Sequence, residues 1–213
     1  MRESLEKRNY LRGALEVAAF LGVGKGLYIL GHDSMKEDWD FNNKTVSDFK
    51  NRIFSTDQMK FDDNAVSMNW GHAYAGVLYY SAARNNGFSS YESLLVTLAS
   101  SSIWEYFGEY KEVVSINDQI ITGIGGAIIG ETLYQISNML KEKDSMIAKT
   151  LGAIINPVGT LNDVLDGKGA FHAHQNFTRK LGFNSDGYSH IDILAGLKMA
   201  YIVTGKQIGR AHV

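Results

Sequence analysis

Residues 70–131 read WGHAYAGVLYYSAARNNGFSSYESLLVTLASSSIWEYFGEYKEVVSINDQIITGIGGAIIGE. Asn85-Asn86-Gly87 is a helix stop, and Ser89-x-x-Glu92 just beyond it is a capping box. Ser115-x-x-Asp118 opens a further helix in the same way. The stretch predicts helices over 72–85, 90–110 and 117–141, packed on one another. Gly123, Gly126 and Gly130 share one side of the third, so Gly126 and Gly130 are expected at a close helix contact. In the second, Tyr91, Leu94, Leu98, Ser101, Glu105, Gly108 and Glu112 recur at three- and four-residue spacing. That stripe is expected to face inward. Glu105 continues it, so Glu105 is expected to be buried and paired, with His72, Arg84 or Tyr80 as partner.

Glu105 and Glu109 are one helical turn apart, and Glu112 lies near the same face. With His72, Arg84, Asp118 and Glu131 they make one candidate polar cluster. Carboxylates held together raise one another's proton affinity, which suits acid–base chemistry or a metal; His72 would serve as base or ligand. The competing reading is a structural network in which Arg84 and the tyrosines pair with the acids and lock three helices together. We prefer the network, because the Glu-x-x-His signature of carboxylate-bridged metal pairs is missing. No cofactor and no metal are expected. His172-x-His174 has ligand spacing, but nothing acidic lies close to it in sequence. Gly22-Val-Gly24-Lys25-Gly26 lacks the first glycine and the Ser or Thr of a phosphate loop. Asp57, Asp62 and Asp63 lack calcium-loop spacing.

Upstream, 5–30 reads as a helix with Leu11, Leu15, Ala18, Ala19 and Gly22 on one face. Its apolar run is broken by Arg12, Glu16 and Lys25, so it is not expected to span a membrane. Residues 32–69 read as an irregular connection holding a short helix at 46–53. Downstream come short helices at 147–155, stopped by Asn156-Pro157, and 160–165. From His190 to Val203 the pattern changes to period two, which predicts a strand long enough for a barrel wall. The close, Ile208–Val213, resembles translated read-through of a sequencing adapter, which has the native chain continuing beyond about Lys206. Met1 need not be the native start, so the charged opening carries no address.

The fold expected is mostly α, a multi-helix bundle with a C-terminal strand that begins a truncated outer-membrane-type barrel. A helical domain would span 1–186, the β region 187–205, and a non-native tail 206–213. The chain of 213 residues has no cysteine, 22 glycines and one proline. Disulfides and thiol chemistry are thereby excluded, and few prolines suit long helices. A formal charge of −2 leaves no nucleic-acid footprint.

From about Trp39 to Gly167 the chain resembles the bacterial domain of unknown function family 3943. The resemblance rests on Gly71-His72-Ala73-Tyr74-x-Gly76, on Ala83-Arg84-x-x-Gly87, on Trp104-Glu105-x-x-Gly108-Glu109, and on Ser115-Ile116-Asn117-Asp118. Gly125-Gly126-x-x-x-Gly130-Glu131 and Ile155-Asn156-Pro157 complete it. Ala73 and Val114 stand where the family usually has proline. The resemblance implies an exported Gram-negative envelope protein on the periplasmic side of the outer membrane. Its partners would be lipid or the barrel of its own full-length chain. The role expected is structural or lipid-handling; the alternative is an envelope hydrolase or transferase using the His/Glu cluster.

Overall fold

The computed structural model describes residues 8–31, 45–55, 59–61, 66–110 and 112–174. Helix α1 (Tyr10–Leu30) is capped by Asn9, whose side chain accepts from the Arg12 amide. Helix α2 (Val46–Phe54) has a Thr45/Asp48 capping box. Helix α3 (Val66–Asn85) runs to the predicted stop. Helix α4 (Ser90–Ile103) begins at the Ser89/Glu92 capping box and continues as a π-helical turn, Trp104–Gly108. Helix α5 (Ile116–Ile120), capped by Ser115, passes through a second π turn, Ile121–Gly125, into α6 (Gly126–Lys141). Helices α7 (Met146–Ile155) and α8 (Pro157–Leu165) meet at Asn156, which caps α8 with proline in its first turn. The β structure among the described residues is two-residue strands, β1 (Met59–Lys60) and β2 (Val114–Ser115), paired in parallel as Met59↔Val114 and Lys60↔Ser115. It gives a barrel no support, and the strand expected at 190–203 lies outside the described residues.

Helices α3 and α6 run parallel and touch through backbone. A Cβ on Gly76 would sit 1.9 Å from the Thr122 carbonyl oxygen, and one on Gly126 would sit 2.4 Å from the Gly76 Cα. One turn earlier, Thr122 Oγ1 lies 3.3 Å from His72 Nδ1. One turn later, a Cβ on Gly130 would meet the Tyr80 ring at 2.9 Å. The glycine pair thus sets the register for a turn on either side, and both Gly126 and Gly130 lie at the predicted contact.

The burial pattern runs opposite to that of a water-soluble bundle. Among the described residues, 21 polar or charged residues are buried against 10 hydrophobic ones, and no Leu, Ile, Phe or Met is among them. Helix α4 and the π turn after it bury Ser93, Thr97, Ser100, Ser101 and Glu105, while Tyr91, Leu95, Ile103 and Phe107 are exposed. The inward stripe expected for this helix is therefore half wrong. Ser101, Glu105 and Gly108 face in, but Tyr91 faces out and Leu94 and Leu98 are only half-buried. Helix α8 repeats the reversal, burying Asn162 and Asp163 and exposing Leu161, Val164 and Leu165.

Helix α1 also corrects the reading from sequence. Leu11 and Leu15 point outward. Its charges, which seemed to break the apolar run, point at the bundle instead. Arg12 donates to Asn86 Oδ1 at 2.6 Å and to Asp166 at 2.6 Å. Glu16 accepts from Asn86 Nδ2 at 2.9 Å. Lys25 donates to the Gly108 carbonyl and lies over the Tyr110 ring. With those charges turned inward, the outer face is uninterrupted, and α1 is long and apolar enough to cross a membrane. The Trp104 ring packs where Gly24 leaves room for it, 3.0 Å from a Cβ built there.

Two outcomes follow from this packing. Gly76→Ala forces a methyl into backbone and should cost at least the ~1–3 kcal/mol of an overpacked core. Gly26→Ala, with nothing within 4 Å, should hold or raise stability through helix propensity, by up to about 1 kcal/mol. Thermal unfolding followed by circular dichroism compares them. The second outcome concerns pH. The hydrogen bond from Arg12 holds the Asp166 carboxyl below its ordinary value. A depressed carboxyl stabilises fully above its unfolded value, about pH 4, and loses that contribution as pH falls through the native value. The pair is partly exposed, so the effect is under about 1 kcal/mol. The melting-temperature gap between wild type and Asp166→Asn should be constant at neutral pH and close toward pH ~3.

Candidate functional site

The single cluster expected from sequence divides in two. Along the helix, Thr122 and Glu131 are nine residues apart, roughly 13 Å, and each anchors its own group. At the Glu131 end, Tyr80 Oη donates to Glu131 Oε2 at 2.6 Å and Arg84 Nε to the same oxygen at 3.0 Å. Gln135 Nε2 donates to Oε1 at 2.6 Å. The Arg84 guanidinium lies over the Tyr134 ring at 4.3 Å and donates to the Phe88 carbonyl. This is the network of arginine, tyrosine and acid that the structural reading called for, but it is built on Glu131. Arg84 and Tyr80, offered as partners of Glu105, are both engaged here.

The other group gathers His72, Glu105, Glu109 and Asp118, exposed by only 6%, 1%, 6% and 0%. His72 Nε2 lies 3.8 Å from Glu109 Oε1 and 3.7 Å from Asp118 Oδ2. One donor atom each from His72, Glu105 and Asp118 fall within 4.8 Å of one another. The Ser115 amide donates to Glu105 Oε2 at 3.0 Å. Glu105 is thus buried as expected, with His72 as its neighbour among the three candidates. Both π turns sit at this group, since Glu105 lies in the first and Thr122 in the second. A π turn adds a residue to the helical turn and is frequently found at functional sites. Here the Glu109 amide reaches back to the Trp104 carbonyl at 3.0 Å, which ends α4 with Glu105 and Glu109 both turned inward.

Arg52 closes the group from α2. It is 1% exposed and donates to the backbone carbonyls of Glu105, Glu109 and Glu112. Burial draws its guanidinium below the ordinary value, against the pull of Glu105, Tyr28, Glu109 and Glu112. Nothing in the local sequence marked Arg52, because α2 reaches this corner only through the tertiary fold.

Residues 58–158 match the family described as Domain of unknown function (DUF3943). The segment is a DUF3943 domain. Neither the curated proteins nor the solved structures contain a match to the chain. His72, Glu105, Glu109, Asp118, Thr122, Arg84 and Glu131 all fall inside the DUF3943 segment, whereas Arg52 is supplied from before it.

His172 and His174 lie after the DUF3943 segment, and the fold brings them an acid that sequence did not. Asp163, 1% exposed, has Oδ1 2.9 Å from His174 Nε2 and Oδ2 3.5 Å from Lys141 Nζ. Asp163, His172 and His174 present donor atoms within 4.8 Å of one another. The Lys141 charge already balances Asp163, so a dication there would be left uncompensated. Another pair missed from sequence is Asn85 and Asn156, which exchange amide hydrogen bonds at 2.9 and 3.1 Å and tie the end of α3 to the α7–α8 junction.

Breaking either acidic group should cost stability, because removing one member of a buried charged pair strands the other, at about 3–5 kcal/mol. Glu105→Ala should lower the melting temperature clearly. Arg84→Ala and Glu131→Gln should each do so too, and a double-mutant cycle should return a coupling of about 0.5–3 kcal/mol. Additivity between Arg84 and Glu131 would contradict the network.

Proposed function

We propose that the DUF3943 domain works embedded in lipid at a membrane of the bacterial cell envelope, in a structural or lipid-handling role. The reversed burial carries this reading. Water drives Leu, Ile and Phe inside, yet here Leu95, Ile103, Phe107, Ile124, Ile147 and Ile154 are exposed while serines, asparagines and acids fill the interior. Lipid reverses the preference, and it rewards small residues that let helix backbones meet, as Gly76 and Gly126 do. Polar groups in such an environment find their partners inside the bundle, as Glu131 and Asn85 do. The compartment is the one that the family resemblance implies.

The test is partition. The expressed chain should stay with membranes through alkaline washing, need detergent for extraction, and float with phosphatidylethanolamine/phosphatidylglycerol vesicles. Trp70, 68% exposed, should be quenched by brominated lipid, and Trp70→Phe should remove that part of the quenching. A monodisperse, detergent-free protein that neither floats nor is quenched would overturn the proposal.

One observation favours a hydrolase or transferase as second reading. Thr122 Oγ1, the His72 ring and Asp118 follow one another at 3.3 and 3.7 Å, the order of hydroxyl, imidazole and carboxylate in a nucleophile relay. Thr122 is only 1% exposed, so substrate would have to open the bundle. Phospholipid ester turnover abolished by Thr122→Val at unchanged melting temperature would support it; no turnover by wild type would sink it.

A further inference from the structure

We infer that His72, Glu105, Glu109 and Asp118 form a binding site for one divalent cation. The donor set is one imidazole nitrogen with carboxylate oxygens from three acids. That is an oxygen-rich set, suited to Mn²⁺ or Fe²⁺ more than to a thiolate-loving ion. The residues come from three separate parts of the bundle, so the site exists only in the folded chain.

The distances support convergence on a common point. His72 Nε2 stands 3.7 and 3.8 Å from the nearest oxygens of Asp118 and Glu109, longer than a hydrogen bond. With metal–ligand bonds of about 2.1 Å, neighbouring ligands lie roughly 3.0 Å apart and opposite ones roughly 4.2 Å. The donor atoms of His72, Glu105 and Asp118 lie within 4.8 Å of one another, and closing them and Glu109 onto one ion needs a contraction of less than about 1 Å per contact. His72 Nδ1 faces the Thr122 hydroxyl at 3.3 Å, which orients the ring so that Nε2 points at the acids. Such a partner behind a ligating histidine is the usual arrangement.

Charge makes the same argument. Glu105, Glu109 and Asp118 bring three negative charges into one interior pocket, and the Arg52 guanidinium beside them brings one positive charge. A dication offsets the crowding of three acids, and neutral His72 is the form in which imidazole ligates. The Asp163–His172–His174 group cannot be balanced in this way, because Lys141 already neutralises its one acid.

The experiment uses the full chain in detergent, stripped by chelator and titrated with Mn²⁺. One ion per chain should bind and raise the melting temperature. Asp118→Asn and Glu109→Gln keep the side-chain volume and should weaken binding more than ~100-fold, beyond what outer-shell partners cost. His174→Gln should bind as wild type does. Should a variant misfold, wild type alone decides: electron spin-echo modulation of bound Mn²⁺ must report one imidazole nitrogen. No retained ion at millimolar Mn²⁺, two imidazole nitrogens or none, unchanged affinity in both acid variants, or loss in His174→Gln would each overturn the site. The metal readout is independent of lipid, so failure of this inference leaves the membrane proposal standing and the reverse also holds.

Discussion

The meeting of two bare backbones, at Gly76 and Gly126, governs the rest of the molecule. A single methyl at Gly76 would lie 1.9 Å from a carbonyl oxygen, so α3 and α6 can adopt this separation only because neither carries a side chain there. Everything chemical is arranged around that point. One turn toward the N-termini, His72 reaches Thr122 and the acids; one turn toward the C-termini, Tyr80 reaches Glu131. Separating the axes by a methyl group would lengthen both sets of bonds together.

The interior this creates is polar and closely connected. Serine and threonine hydroxyls on α4 turn back onto their own helix, as Thr97 does to the Ser93 carbonyl at 2.7 Å. Other groups cross between helices. Ser137 Oγ donates to the Gly152 carbonyl at 2.7 Å, joining α6 to α7, and Asn138 Oδ1 accepts from the His174 amide at 2.9 Å. Low dielectric strengthens such bonds and penalises each one left unmade. The bundle is specified by complementary polar groups more than by interlocking aliphatic side chains.

Much of this was legible in the chain. Ser89-x-x-Glu92 and Ser115-x-x-Asp118 mark helix starts by local chemistry alone, and the structure places α4 and α5 there; Asn156-Pro157 reads as a stop, and it also caps α8, which begins at Pro157 rather than 160. Gly126 and Gly130 announced a close contact, and Glu105 announced burial. What could not be read was which side of each helix is inside. Periodicity finds a stripe but not its surroundings. Taking the stripe of α4 as its inner face turned Tyr91 inward, and reading α1 as a linear run made Arg12, Glu16 and Lys25 look like interruptions. The division of the polar cluster was equally hidden, since Arg84 and Glu131 are 47 positions apart and only the α3–α6 register pairs them. Arg52 and Asp163 reach their groups from outside the local pattern. The π turns leave no trace in spacing, because one added residue is within the tolerance of a helical stripe.

Helix α1 carries a consequence for the order in which the protein is made. Arg12 bonds with Asn86 and Asp166, 74 and 154 residues further along, and Lys25 with Gly108, 83 residues along. Its apolar side is complete as soon as it leaves the ribosome, while its charged side has no counterpart until α3, the first π turn and α8 have been synthesised. Helix α1 therefore waits for partners that are translated long after it. Any membrane-insertion machinery would have to hold it, charges shielded, until more than a hundred further residues have followed.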